Sequence, residues 1–140
     1  MNEAMTTSYR KAAPIWQTVL RWIAVLPGAV AAMILAGLLF GVINWLGSSR
    51  FGDDSWFDYI WQNGMKAAAE GAAFVWFGAY IAPQGKKAIG IILAGLILFI
   101  SGASFFFVVR HEEWMNGWRL LATNAAAIGM AIHVFNERTN

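Results

Sequence analysis

The chain has 140 residues, of which 59% are hydrophobic and only 13% are charged, and its formal net charge is +2. Soluble domains carry about 25% charged residues, so this composition indicates a protein whose surroundings are largely lipid. The lack of cysteine excludes disulfides, thiolate catalysis and cysteine-based metal sites, and the scattered basic residues give no support to nucleic-acid binding.

Four apolar segments follow one another along the chain, each near the roughly 20 residues that cross a bilayer as a helix. Only helices satisfy their own backbone in lipid without pairing to other strands, and the segments lack the alternation of barrel strands. The sequence therefore predicts an all-α fold: a single membrane domain over residues 1–140, built as an antiparallel bundle of four transmembrane helices. The predicted spans are residues 26–46, 65–82, 88–109 and 114–135.

A predicted cytoplasmic tail, residues 1–13, and a mixed polar and apolar segment, residues 14–25, precede the first span. One straight helix from Pro14 to Gly47 would be about 50 Å long, which is more than a bilayer needs. The sequence therefore predicts a helix kinked or broken at Pro27, and the alternative is a separate amphipathic helix in the membrane interface. The apolar run extends far beyond the roughly 7–15 residues of a signal-peptide core, so we interpret it as an anchor that is not removed.

The long link between the first two spans, residues 47–64, contains a short amphipathic pattern. Acidic or serine residues can cap a helix there, and Asn63-Gly64 can end it. Because Trp and Tyr favour the membrane–water layer, we predict a short helix resting on the outer membrane surface, with a docking surface for a protein partner as the alternative. This interfacial aromatic loop comprises Trp56, Phe57, Ile60 and Trp61.

The other links are short turns, PQGKK at residues 83–87 and RHEE at residues 110–113. Short links make consecutive helices antiparallel neighbours. In the first turn Pro83 ends a helix and Gly85 allows a positive φ.

Basic residues in short flanks determine the orientation of a membrane protein. With the N-terminus inside, six of them lie on the inner side and four on the outer side, so we predict a protein of the bacterial inner membrane with both termini in the cytoplasm. A reversed or dual orientation stays open. The inner residues are Arg10, Lys11, Arg21, Lys86, Lys87 and Arg138, and the outer ones are Arg50, Lys66, Arg110 and Arg119.

Glu70 is an acidic residue inside the second span, where an ionisable side chain indicates a site and requires a partner. Glu70 lies six residues past Gly64, and Arg119 lies six residues past Glu113. At 1.5 Å per residue both are about 9 Å below the outer ends of their helices. Because each charge alone in hydrocarbon is costly, we predict a buried Glu70–Arg119 pair linking the second and fourth spans.

Two alternatives compete with this pair. Both side chains could snorkel separately to the head groups, or Glu70 could pair with Lys66 one turn earlier. Ser104 and Asn116 are predicted as further hydrogen-bond partners of the pair. The complete predicted cluster of buried polar residues comprises Glu70, Arg119, Ser104, Asn116, Asn44, Ser101 and Asn124.

The sequence contains no catalytic set. HEEW at residues 111–114 begins like the HExxH motif of zinc proteases, but Met115 stands where the second histidine is required. No Gly-rich phosphate loop is present either. We therefore predict no enzymatic activity, no cofactor and no metal site.

The segment GAAFVWFGAYIAPQGKK, residues 71–87, resembles a phrase that closes the second helix in uncharacterised small bacterial inner-membrane proteins with four helices. The resemblance covers about one helix and a turn, and it implies a membrane fold without a known activity. In size and helix count the chain is also similar to small multidrug exporters. Those carry an essential glutamate in the first helix, whereas the first span here has no acidic residue, which argues against membership.

Two classes of function follow. The absence of a catalytic set, the many small residues in the spans and the aromatic loop favour a non-enzymatic scaffold or accessory subunit of a membrane assembly. The intramembrane charges favour the alternative, a minimal homo-oligomeric transporter or channel that uses Glu70. The predicted partners are the lipid bilayer and either another membrane protein or a second copy of the chain.

Overall fold

The computed structural model describes residues 15–51, 56–111 and 114–137, with the side chains of 48–51, 57 and 114–116 left undescribed. Over these ranges the protein is all-helical and has no strand, which confirms the all-α part of the predicted fold class. The elements are α1 (Ile15–Phe51), α2 (Trp56–Ile60), a π-helical segment (Trp61–Lys66), α3 (Ala67–Ile81), α4 (Lys86–Arg110) and α5 (Trp114–Asn136).

α1 is one helix of 37 residues, roughly 55 Å long, and Pro27 lies inside it. Over the described residues, a helix broken at Pro27 and the alternative of a separate interfacial helix over residues 14–25 are therefore wrong, whereas a kink at Pro27 stays a prediction. A proline inside a helix removes one backbone hydrogen bond. The residues on both sides of Pro27 favour helix, so the helix continues despite this loss.

The predicted short outer helix is present as α2, but it does not end at Asn63-Gly64. It continues through the π-helical segment directly into α3, so Asn63 and Gly64 lie inside a helix rather than at its end. Its position on the membrane surface stays a prediction. Trp61 packs against α1: its indole Nε1 donates to the Phe40 carbonyl oxygen at 3.2 Å, and the two ring centroids are 5.6 Å apart. This side of the helix is held by protein contacts.

The turn between α3 and α4 agrees with the sequence. Gly85 has φ 67° and ψ 35°, the left-handed conformation that glycine adopts without a steric penalty. α4 then runs back antiparallel to α3, and the two lysines of the turn lie over aromatic rings of the neighbouring helices.

α3 is the central helix and packs against α1, α4 and α5. Among the described residues, no Cα of α1 comes within 8 Å of a Cα of α4 or α5. The arrangement is therefore three mutually packed helices with α1 laid along the free side of α3. An apolar core joins all four helices away from the polar residues, and its buried members are Val25, Ala29, Phe74, Val75, Ala82, Leu93, Ala94, Ile97, Ala127 and Ala131.

Two helices are long and apolar enough to cross a membrane, residues 15–47 of α1 and the whole of α4. A core helix of a soluble protein can meet the same measure, but only 17% and 28% of their most apolar windows are buried here. Over the described residues α3 and α5 do not meet it. α3 has 15 residues, and α5 carries Arg119 and several amide side chains.

Candidate functional site

Glu70 of α3 and Arg119 of α5 form an ion pair. Arg119 Nη2 donates to Glu70 Oε2 at 3.4 Å. The structure thus brings together the two residues that were predicted to pair because they lie equally far below the outer ends of their helices. The burial is unequal: the Glu70 side chain is 13% exposed, but that of Arg119 is 48% exposed. The prediction of a buried pair thus fits the acidic partner but not the basic one, because the long arginine side chain extends to the surface of the packed helices.

The second oxygen of the Glu70 carboxylate points to α1. A Cβ built on Gly37 would lie 2.6 Å from Glu70 Oε1, so a larger residue at this position would require the end of the Glu70 side chain to move. In the sequence, Gly37 stands out only as half of a GxxxG pair with Gly41, a motif that predicts close packing without naming the partner. Around Gly41 there is nothing within 4 Å of the built Cβ. Glu70 is therefore placed between α1 and α5.

Gly71, the next residue, brings α3 against the backbone of α5. A Cβ at Gly71 would lie 2.5 Å from the carbonyl oxygen of Thr123. The Thr123 hydroxyl donates to the Arg119 carbonyl oxygen at 3.0 Å, one turn back in α5. Glu70 thus provides the charge, and the neighbouring Gly71 allows α3 and α5 to approach closely enough for this charge to contact Arg119.

A cavity of about 460 Å³ lies beside the ion pair, in the gap left because α1 does not meet α4 and α5. The lining comes from α1, α3, α4, α5 and the turn after α4. The polar lining residues are Glu70, Ser104, His111, Arg119 and Thr123, and the apolar ones are Met33, Phe107, Val108 and Leu120. Sequence reasoning does not find His111 as a member, since its position in a turn gives no indication that it faces the cavity.

Ser104 does not hydrogen-bond to the ion pair as predicted. Its hydroxyl donates to the Ile100 carbonyl oxygen at 2.9 Å, because that carbonyl lies one turn back on the same helix and needs no approach of another helix. Its oxygen keeps acceptor capacity toward the cavity, as does that of Thr123. The cavity therefore combines a carboxylate, a guanidinium and hydroxyl acceptors, a set that can hold a small polar ligand. The predicted role of Asn116 lies outside the described side chains.

Asn44 is buried but belongs to a separate contact. Its Nδ2 donates to Asp58 Oδ1 of α2 at 2.8 Å. Asn44 lies seven residues beyond Gly37 on α1, so this contact is about 10 Å from Glu70 along the helix axis. The predicted single cluster is therefore divided into two groups. Asp58 gives no signal in the sequence, because its position opposite Asn44 depends on how α1 and α2 are joined.

Ser101 and Asn124, the two deepest members of the predicted cluster, make no contact with the ion pair among the described hydrogen bonds. Ser101 is buried, and Asn124 is half-buried. The Oδ1 atoms of Asn44 and Asn124 are buried and have no hydrogen-bond partner within the described part of the chain. No group of three or more histidine or carboxylate side chains lies close enough there to hold a metal ion.

The predicted aromatic loop does not present one face. Trp56 and Ile60 are exposed, whereas Trp61 is half-buried against Phe40 of α1. The Phe57 side chain lies outside the described residues. This difference in exposure is expected for a helix that is covered by protein on one side only.

No protein-family model, no curated protein and no solved structure matches this chain at a significant level. The resemblance of residues 71–87 to small four-helix inner-membrane proteins therefore stays a prediction.

Proposed function

We propose that the chain is a small integral membrane protein that crosses the bilayer four times and acts as a non-enzymatic scaffold or accessory subunit of a membrane assembly. The exposed surface supports the membrane location. Large apolar side chains are exposed on every long helix, among them Leu35, Leu38 and Leu39 on α1 and Phe99, Phe106 and Phe107 on α4. Soluble monomers rarely expose apolar patches of more than a few hundred Å², whereas lipid covers such a surface.

Helix lengths are compatible with four crossings. α5 has 23 residues, about 35 Å, which exceeds the roughly 30 Å of hydrocarbon. α3 alone is too short, but its continuity with the π-helical segment and α2 gives one helix from Trp56 to Ile81. Two polar side chains of α5 are directed at α3 or the cavity: Arg119 contacts Glu70, and Thr123 lines the cavity.

One observation carries the scaffold role: the Glu70 carboxylate of α3 lies between two other helices. Oε2 accepts from Arg119 of α5, and Oε1 lies beside Gly37 of α1. The Glu70 side chain is only 13% exposed, and its carboxylate lies where α1, α3 and α5 meet. The charge is used to hold α1, α3 and α5 together.

Replacing Glu70 by Gln tests this proposal. For a scaffold we expect a lower unfolding temperature in detergent and reduced recovery of the chain from membranes. The matched control is Glu137→Gln, which removes an exposed carboxylate near the end of α5 and should leave the unfolding temperature unchanged. A Glu70→Gln chain as stable as the unaltered one would contradict the scaffold role of this carboxylate.

The polar cavity favours a second candidate, a minimal homo-oligomeric transporter or channel. Its five polar lining side chains include an acid, a base and a histidine. This candidate expects the unaltered chain, reconstituted in vesicles, to show pH-dependent ion flux that Glu70→Gln abolishes without loss of stability. The scaffold proposal expects no such flux from either chain, so one set of vesicles separates the two candidates.

A further inference from the structure

A second cavity, entirely apolar in its lining, runs along the surface between α4 and α5. It has a volume of about 460 Å³, and all its lining residues belong to α4 and α5. It is called the α4–α5 groove here, and it is lined by Ile91, Ala94, Gly95, Leu98, Ile128, Ala131, Ile132 and Phe135. No polar side chain lines it, so its occupant must be apolar along the whole length of the groove.

Gly95 keeps the groove open. A Cβ built on Gly95 has nothing within 4 Å, so the missing side chain is not required by any contact inside the protein. Gly102, seven residues further along α4, is equally free of neighbours but does not line the groove. The two glycines therefore offer a matched pair: a side chain at Gly95 enters the groove, and one at Gly102 does not.

One end of the groove is positively charged. The Lys87 Nζ lies 5.2 Å from the ring centroid of Phe135, which lines the groove, and Lys86 Nζ lies 5.3 Å from the ring centroid of Tyr80. Glu137, the acidic side chain described at this end of α5, is 3.6 Å from His133. Lys87 thus places an ammonium group at one end of the apolar groove, whereas Lys86 lies over Tyr80 of α3.

We propose that the α4–α5 groove binds an anionic phospholipid, with one acyl chain along Gly95 and the phosphate at Lys87. The charge pattern carries this choice. An anionic head group complements the ammonium group of Lys87 at the end of the groove, and an acyl chain matches the apolar lining. The inference rests on the proposed membrane location, and the experiment below lets the two fail separately.

The test uses the full chain, purified in a mild detergent and mixed with dioleoyl phosphatidylglycerol or dioleoyl phosphatidylcholine. Native mass spectrometry counts bound lipids, and thermal unfolding measures stabilisation. We expect one phosphatidylglycerol per chain and a higher unfolding temperature with this lipid than with phosphatidylcholine. Gly95→Leu should lower phosphatidylglycerol binding about tenfold, since a leucine displaces at least two lipid methylenes from the groove. Gly102→Leu should bind like the unaltered chain.

The lysine arm tests the head-group contact. Lys87→Gln should reduce the preference for phosphatidylglycerol over phosphatidylcholine about fivefold, the effect of one basic residue near an anionic surface. The Gly95→Leu and Gly102→Leu chains should unfold at the same temperature without added lipid, which shows that neither change disturbs the fold.

Each of the following outcomes would overturn the inference. Equal phosphatidylglycerol binding by Gly95→Leu and the unaltered chain excludes the groove, and equal binding of both lipids excludes the anionic preference. A dimer in lipid-free detergent that Gly95→Leu abolishes assigns the groove to a second copy of the chain. Extraction of the chain from cell membranes by alkaline carbonate instead refutes the membrane location, whereas a chain that resists extraction but binds no phosphatidylglycerol refutes the groove site alone.

Discussion

The carbonyl oxygen of Thr123 occupies the space in which a side chain at Gly71 would begin, 2.5 Å from a Cβ built on that glycine. Because the neighbouring atom belongs to the backbone of α5, it cannot swing aside as the end of a flexible side chain can. The approach of α3 to α5 next to the Glu70–Arg119 pair therefore depends on this one residue.

Gly71→Ala should destabilise the protein by about 1–3 kcal/mol, as forced overpacking does. The measurement is the free energy of unfolding in mixed micelles. Gly102→Ala is the control, since it adds the same methyl group on α4 where nothing lies within 4 Å, and it should be neutral or slightly stabilising because alanine favours helix. Equal unfolding free energies for both variants would contradict the close approach.

The Glu70–Arg119 contact should appear as a coupling energy. We expect Glu70→Gln and Arg119→Gln each to destabilise the chain, and the double variant to lose less than the sum, with a coupling of about 1 kcal/mol. This size reflects the 3.4 Å separation and the half-exposed arginine, and it is typical of polar contacts between membrane helices. A double-mutant cycle of unfolding free energies measures it, and additive effects would mean that the two side chains act separately.

Gly37→Leu should destabilise the chain because its side chain would displace the Glu70 carboxylate, which lies 2.6 Å from the built Cβ. In a Glu70→Ala background the same change should have a much smaller effect, since the displaced group is gone. Gly41→Leu, one turn further along α1 in open space, is the control and should leave the unfolding temperature unchanged. A Gly37→Leu effect that is as large without the Glu70 side chain would point to a different neighbour.

The proposed orientation can be mapped by single cysteines, because the chain has none of its own. Gln84→Cys in the α3–α4 turn and His111→Cys after α4 are both at exposed positions. With both termini in the cytoplasm, a membrane-impermeant maleimide added to intact spheroplasts should label His111→Cys and should label Gln84→Cys only after permeabilisation. The reverse pattern would invert the orientation, and equal labelling would indicate a dual one.

Local patterns predicted much of the helical structure. The expected spans at residues 65–82, 88–109 and 114–135 agree closely with α3, α4 and α5, and Gly85 has the positive φ that its turn requires. These features depend on the local sequence. The extent of an apolar segment indicates where a helix lies, and proline and glycine residues indicate where it ends. The pairing of Glu70 with Arg119 also followed from counting residues, since both charges had to be at a similar depth.

Helix boundaries set by weak local signals were less predictable. Pro27 and Asn63-Gly64 both predict an interruption, yet α1 and the helix from Trp56 to Ile81 continue through them. A single capping or breaking residue is worth about 1–3 kcal/mol, and contacts such as that of Trp61 with Phe40 can outweigh it. The sequence does not show such contacts, because the residues involved are far apart along the chain.

The sequence by itself determined that the chain is all-helical and has the apolar composition expected of a protein in lipid. It also indicated that the carboxylate of Glu70 and the guanidinium of Arg119 would pair. Only the tertiary structure decided how those charges are used. It placed α3 at the centre, put Gly37 and Arg119 on opposite sides of Glu70, and paired Asn44 with Asp58 in a separate group. The depth of a residue along its helix can be counted from the sequence. Which neighbouring helix its side chain faces depends on how all the helices pack together, and this is not visible in the sequence.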